Sequence, residues 1–291
     1  MVSVTGRHTK RTTLYVVATP LGNLEDITLR ALRILKEVAL IAAEDTRHSR
    51  KLLTHYGIET PVTSYYDQIE RRKAPQLIDE LKRGKSIALI SDAGTPCIAD
   101  PGFRLVRAAI EAGIEVEVVP GPSAVAAALS VSGLPTDRFA FEGFIPAKAG
   151  ARRTFLTALA GEERTLVLYE AARRLVDSLR DLLDIFGDRH VVIARELTKV
   201  FEEVLRGQTS ELIEVLEKRA DGEGVQGEVT LLLAGAEKRL PTLSPEELAA
   251  EIKRRRESGV SLKEAARLLA DEYGLSRREV YQIGLKADGD R

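Results

Sequence analysis

Several things are scarce in this 291-residue chain, and each scarcity narrows the reading. One cysteine, Cys97, excludes a disulfide framework and any multi-cysteine zinc site, and fits a reducing, cytosolic compartment. No apolar run approaches the roughly 18 residues of a membrane span. The longest, Val38–Ala43 and Ala124–Val131, are the size of core segments. Met1–Thr13 is polar and basic without an apolar stretch, so a secretory leader is not expected. An excess of one charge is missing too: 43 Lys and Arg stand against 44 Asp and Glu, a net charge of −1. No domain is globally basic, so any nucleic-acid contact must come from local patches. The glycine–lysine loop of P-loop nucleotidases is absent. The one G-x-G-x-x-G match (Gly222, Gly224, Gly227) follows a predicted helix and precedes a strand, the reverse of a dinucleotide fingerprint, and reads as a connecting turn. His48 and His55, seven apart with no third ligand in view, make a poor metal pair, so no metal is expected.

What is present is a rhythm. Hydrophobic residues are 44% and charged residues 30% of the chain, enough apolar material for a substantial core. In the first half, short apolar runs (Leu14–Ala18, Val38–Ala43, Ser86–Ser91, Val116–Val119) alternate with helix-periodic stretches (Thr28–Glu37, Thr46–Tyr56, Gln68–Arg83, Gly102–Ala112, Ser123–Ser132). That alternation predicts a parallel sheet covered by helices. Gly133, Leu134 and Pro135 interrupt it. Strand-like Arg138–Phe144, Thr165–Tyr169, Val191–Ala194, Val200–Arg206 and Glu228–Ala234 follow, with helices at Arg173–Phe186 and Ser210–Arg219, and their close succession predicts a mixed sheet. Beyond Pro241, three helical segments each open on a serine: Ser244–Arg256, Ser261–Tyr273 and Ser276–Lys286. They read equally as a helix-turn-helix module or a plain three-helix bundle. The expected organisation is a basic extension (1–12), an α/β domain (13–133), a second α/β domain (134–240) and a helical module (241–291).

Three loops each follow a strand and precede a helix: Thr19–Asn23, Ser91–Pro96 and Pro120–Ser123. In an open parallel sheet the carboxyl ends of all strands share one edge, where ligands bind, so the three should converge. Acidic residues gather nearby: Asp26, Glu44, Asp45, Asp92 and Asp100. Glu44 and Asp45 either cap the helix opening at Thr46 or bind a ligand hydroxyl and orient a reacting group. Cys97, with no histidine placed beside it, reads as inert. Local basic groups (Arg47, Arg50 and Lys51; Arg71, Arg72 and Lys73; Lys148, Arg152 and Arg153; Lys253–Arg256; Arg277 and Arg278) read one by one as solvated faces, and together as a possible phosphate track.

Taken in order, Val17–Leu24, Ala43–Arg47, Ser91–Pro96, Pro120–Ala124, Glu142–Phe144 and Arg195–Lys199 resemble the ribosomal-RNA-modifying branch of the tetrapyrrole methylase superfamily, across about residues 13–236. The resemblance implies a two-domain tetrapyrrole-methylase-like α/β fold with a helix-turn-helix appendage. It implies S-adenosyl-L-methionine as methyl donor, and a cytidine ribose 2′-hydroxyl of 16S ribosomal RNA, free or in the assembled small subunit, as acceptor. It implies a cytoplasmic homodimer with no membrane contact. Carried over by position, Pro20, Gly94, Thr95, Ile98, Ser123, Ala124, Tyr169 and Glu228 would hold the donor. A ribose hydroxyl is a weak nucleophile and needs a proton acceptor. Asp45, Asp92, Asp100 and Glu196 are candidates, with Asp45, Asp92 and the neighbouring Arg47 best placed by loop position. Where the family usually carries lysine before the Gly227–Glu228 pair, this chain has Gln226, and the extension Met1–Thr12 lies outside the family pattern. A tetrapyrrole C-methyltransferase and a non-catalytic RNA-binding module are the alternatives.

Overall fold

A computed structural model describes residues 12–220, 227–237 and 243–289. Most of the basic extension, the first part of the glycine-rich turn (Gly222, Gly224, Gln226) and Pro241 lie outside these residues. The chain divides into two compact units, 1–236 and 237–291.

The first unit begins with β1 (Thr13–Val17), β2 (Leu40–Ala43), β3 (Val62–Ser64), β4 (Ile87–Ile90) and β5 (Glu115–Val119). All pair in parallel, in the order β3-β2-β4-β1-β5. The connecting helices are α1 (Leu29–Glu37), α2 (Thr46–His55), α3 (Glu70–Lys82) and α4 (Phe103–Glu111). Their starts are written locally: the Ala31 N–H donates to the Thr28 hydroxyl at 3.1 Å, and the Arg47 N–H to the Asp45 carboxylate at 2.7 Å. Alternate faces of the central strands feed two cores. Val17, Ile41, Ala43 and Ile90 pack with Ile34, Leu35, Leu52 and Leu53 of α1 and α2. Leu14, Ala42, Ile87 and Leu89 pack with Leu77, Leu81 and Leu105 of α3 and α4. Burial of both faces is why these strands read as continuous apolar runs.

Helix α5 (Ala124–Ser132) ends at Gly133, whose φ of +79° closes it in the left-handed conformation. Its small residues bring it close to the second sheet, where Val125, Ala128 and Leu129 pack on Val167, Val192 and Leu232. That sheet comprises β6 (Phe139–Phe144), β7 (Thr165–Ala171), β8 (His190–Arg195), β9 (Glu203–Gln208) and β10 (Glu228–Leu233), ordered β6-β7-β10-β8-β9. It is mixed: β6 and β7 are parallel, while β10 runs against β7 and β8, and β9 against β8. Helices α6 (Ala149–Leu159), α7 (Leu175–Phe186) and α8 (Thr209–Ala220) complete the unit.

Two local expectations change. The strand placed at Val200 starts at Glu203, because Val200 and Phe201 occupy an exposed turn, 94% and 74% accessible. The segment around Lys148–Arg153, read from the sequence as a basic group, opens α6, with Lys148 at its N-cap. There Arg152 and Arg153 bind Asp181 at 2.6 and 2.7 Å, so this patch is neutralised.

The second unit consists of α9 (Pro245–Glu257), α10 (Leu262–Tyr273) and α11 (Arg277–Gly289). Ser244 and Glu247 form a reciprocal capping box and Ser261 caps α10. Leu248, Ile252, Ala266, Leu269, Ala270 and Val280 form its core.

Candidate active site

The three strand-to-helix loops meet. Thr19 and Gly94 exchange both backbone hydrogen bonds, at 2.8 and 3.0 Å, tying the first loop to the second. The Thr95 hydroxyl donates to the Pro122 carbonyl at 3.0 Å, tying the second to the third. Gly94 has a φ of +84°, and a β-carbon there would lie 3.3 Å from Leu21, so the close crossing requires glycine. The fourth side comes from the second sheet: the Asn23 N–H donates to the Thr198 hydroxyl at 3.1 Å, and a β-carbon on Gly22 would stand 2.1 Å from Lys199.

These segments enclose a cavity of about 460 Å³. That volume falls within the range of small-molecule sites. Of the residues carried over or best placed from the sequence, Asp92, Gly94, Thr95, Ile98, Ser123, Ala124, Tyr169 and Glu228 line it. Pro20 is buried behind the wall and its neighbour Leu21 faces the cavity. Asp45 and Arg47 are one step outside. Asp45 caps α2 and grips the Arg47 guanidinium at 3.2 Å, while Arg47 remains 89% exposed. The Asp45 N–H nevertheless donates to Asp92 at 3.0 Å, linking this pair to the wall.

Ser123 and Ala124 place the amino end of α5 at the cavity. Tyr169 stands edge-on to Phe141 and Phe144, with centroids at 4.9 and 5.2 Å, and supplies a flat apolar wall. Glu196 and Glu228 share the Lys199 ammonium, at 2.8 and 3.1 Å, and the Glu228 N–H donates to Glu196 at 3.0 Å. Strained backbone collects here as well: Cys97, Ala99, Glu196 and Thr198 have φ values of 72°, 63°, 51° and 65°. Such conformations cost of order 1–3 kcal/mol each and persist where surrounding contacts enforce them.

The electrostatics are dominated by carboxylates. Burial pushes Glu44 up to about 7, helped by Asp100. Burial likewise lifts Asp100 to about 6, with Asp92 and Asp67 adding to the effect. Burial drives the Tyr169 phenol up to about 12 and the Cys97 thiol up to about 11, so Cys97 stays a protonated, unreactive thiol near neutrality. Glu44, Asp100 and Glu196, candidates from the sequence outside the best-placed set, also line the cavity, as does Lys199, to which the sequence assigns no role. Glu44 was one half of an acidic pair, and one residue of offset decides that it faces the cavity while Asp45 caps the helix.

A crossing of loops over the carboxyl edge of a parallel sheet, roofed by a mixed sheet, is the architecture of a two-sheet α/β enzyme with a small-molecule site. Comparison narrows the class: the model of the tetrapyrrole (corrin/porphyrin) methylases matches residues 13–213, and the chain belongs to this family. The RsmI C-terminal HTH domain matches residues 244–288. Ribosomal RNA small subunit methyltransferase I of Pseudomonas aeruginosa is 48% identical over 95% of this chain and 98% of its own length. The protein of the same name from Xylella fastidiosa is 49% identical over 92% and 97%. Among solved structures, uroporphyrin-III-C-methyltransferase from Thermus thermophilus shares the fold, with a TM-score of 0.54 and 22% identity over 78% of this chain and 96% of that one.

Proposed function

We propose that the chain is a methyltransferase that carries the methyl group of S-adenosylmethionine to the ribose 2′-hydroxyl of a cytidine in 16S ribosomal RNA, acting as a cytoplasmic homodimer on the RNA or the assembled small subunit. The observation that carries this reading is the acidic cavity at the junction of the three loops, in a chain nearly half identical to ribosomal RNA methyltransferases. Among the described residues, no helix is long and apolar enough to cross a membrane. Exposed Leu29 (86%) and Val118 (57%) offer apolar side chains to a second copy.

The residues present fit the donor. Glu44, Asp92, Asp100, Glu196 and Glu228 outnumber Lys199, so the cavity favours a cationic ligand that also carries hydroxyls. The Gly94–Thr95 backbone admits close approach, the start of α5 suits a carboxylate, and Tyr169 with Ile98 suits a flat base. When bound, the donor supplies an electrophilic methyl group on a sulfonium. The chain must hold the acceptor oxygen in line with it, and that alignment contributes much of the acceleration. A carboxylate of the Glu44, Asp92 and Asp100 group would accept the proton of the acceptor hydroxyl. Glu44 and Asp100, lifted toward neutrality, match that task better than an ordinary carboxylate. Asp45 and Arg47 orient the acceptor strand from the rim.

The test is incubation with methyl-labelled donor and, separately, bare 16S RNA, assembled small subunits or a tetrapyrrole. Label recovered on a cytidine ribose is expected. Label on the tetrapyrrole, or on no acceptor while the donor binds, refutes the reading.

A further inference from the structure

Of the basic groups in the sequence, the fold neutralises some and leaves others with no carboxylate within ion-pair distance among the described residues, among them two groups near the cavity. Arg152 and Arg153 are bound by Asp181, and Arg254 and Arg255 by Glu251. On α2, by contrast, Arg50 and Lys51 are exposed and have no carboxylate within ion-pair distance among the described residues. The whole helix Thr46–His55 contains no acid. On α3, Arg71 and Arg72 are likewise exposed and unpaired among the described residues. Their acidic neighbour Glu70 is buried and already committed, accepting the Gly102 N–H at 2.7 Å and facing Arg104 at 3.3 Å.

Topology brings the two groups to one edge of the sheet. Strands β2 and β3 are parallel neighbours, with Ala43 opposite Ser64 and the Tyr65 N–H donating to the Ala43 carbonyl at 2.7 Å. Both helices therefore start at the same carboxyl edge of the sheet, α2 on one face and α3 on the other. Glu44, between β2 and α2, lines the cavity; Arg47 follows in the first turn of α2, and the 38% exposed Tyr66 precedes Asp67, whose charge acts on Glu44 and Asp100.

We infer that these residues at the carboxyl edge, Arg47, Arg50 and Lys51 on α2 at one face and Tyr66 ahead of α3 with Arg71 and Arg72 in its first turn at the other, are the surface that binds the phosphodiester backbone of the acceptor RNA as single strand. The inference rests on the RNA substrate proposed above. Cations beside an accessible aromatic ring suit a single strand, whose phosphates pair with the guanidinium and ammonium groups while a base stacks. A ribose delivered to the cavity must leave a duplex in any case.

The experiment measures binding of a labelled single-stranded oligoribonucleotide to the full chain as salt is varied, alongside methylation of 16S RNA. Arg50→Gln with Lys51→Gln, and Arg71→Gln with Arg72→Gln, are compared with Lys36→Gln with Lys82→Gln, which removes two exposed cations from the helix ends at the opposite sheet edge. Each carboxyl-edge pair should weaken RNA binding roughly tenfold near physiological salt and flatten the log–log salt slope by about 1.4, at about 0.7 per phosphate contact. Donor affinity and melting temperature should stay at wild type, and the control pair should match wild type throughout. Carboxyl-edge variants that bind RNA with the wild-type affinity and slope, in a wild type that methylates RNA, overturn the surface alone. A wild type that neither binds nor methylates RNA overturns this surface and the functional reading together.

Discussion

Gly227→Ala tests whether the second-sheet wall of the cavity is held as described. Gly227 has a φ of +101°, and a β-carbon there would sit 2.3 Å from the Glu196 carboxylate oxygen and 2.7 Å from its γ-carbon. Glu196 cannot swing aside freely, because its carboxylate holds the Glu228 N–H at 3.0 Å and the Lys199 ammonium at 2.8 Å. The positive φ costs an alanine about 1–2 kcal/mol, and losing hydrogen bonds to a half-buried charge adds about 2 kcal/mol. The control is Gly57→Ala, where φ is +59° and a β-carbon meets nothing within 4 Å, so only the backbone cost of about 1 kcal/mol remains. For a unit of this size each kcal/mol moves the melting temperature by about 2–4 °C. Far-ultraviolet circular dichroism should therefore show a drop of about 2–4 °C for Gly57→Ala and about 6–16 °C for Gly227→Ala. Calorimetry should show donor affinity reduced only in the latter. Equal melting shifts, or unchanged donor binding by Gly227→Ala, would refute the account of this wall.

Other expectations follow from the same geometry. Methyl transfer should rise with pH through an apparent pKa between about 6 and 7, set by Glu44 and Asp100 as a coupled pair, and Asp100→Asn or Glu44→Gln should distort that limb in a pH–rate profile. The same raised values bind protons more tightly in the folded than in the unfolded chain. Stability from these groups is thus greatest at acid pH and declines as pH climbs from the ordinary carboxylate range to about 7, an effect that pH-dependent urea midpoints would reveal and Glu44→Gln would diminish. Thr95→Val removes the tie to Pro122, should cost about 1 kcal/mol, and should raise KM for the donor while leaving RNA affinity alone, as steady-state kinetics would check. Replacing Asp45 or Arg47 by alanine should lower methylation far more than donor binding. Equal losses in turnover and calorimetry would move these residues into the donor site.

The linear pattern was enough for much of this protein. Apolar runs buried on both faces announced the parallel strands. Thr28, Asp45, Ser244 and Ser261 announced helix starts, since a cap bonds to an N–H two or three residues away and needs nothing distant. The quoted motifs named most of the cavity wall for the same reason: they are short segments whose glycines and prolines act on their own backbone. Tertiary structure decided everything that depends on a partner far along the chain. Val62–Ser64 is too short to announce itself and becomes a strand only by pairing with β2. Val200 and Phe201 look like strand residues, yet the turn held by Lys199 and Glu202 excludes them. Whether an arginine is free or neutralised, and whether Glu44 or Asp45 faces the cavity, depends on where Asp181, Asp92 and Asp100 arrive, from 28 and 47 residues away in the bonds of Arg153 and Asp45. Local propensity acts over a few residues, but burial and charge are set by neighbours that only the folded chain brings together.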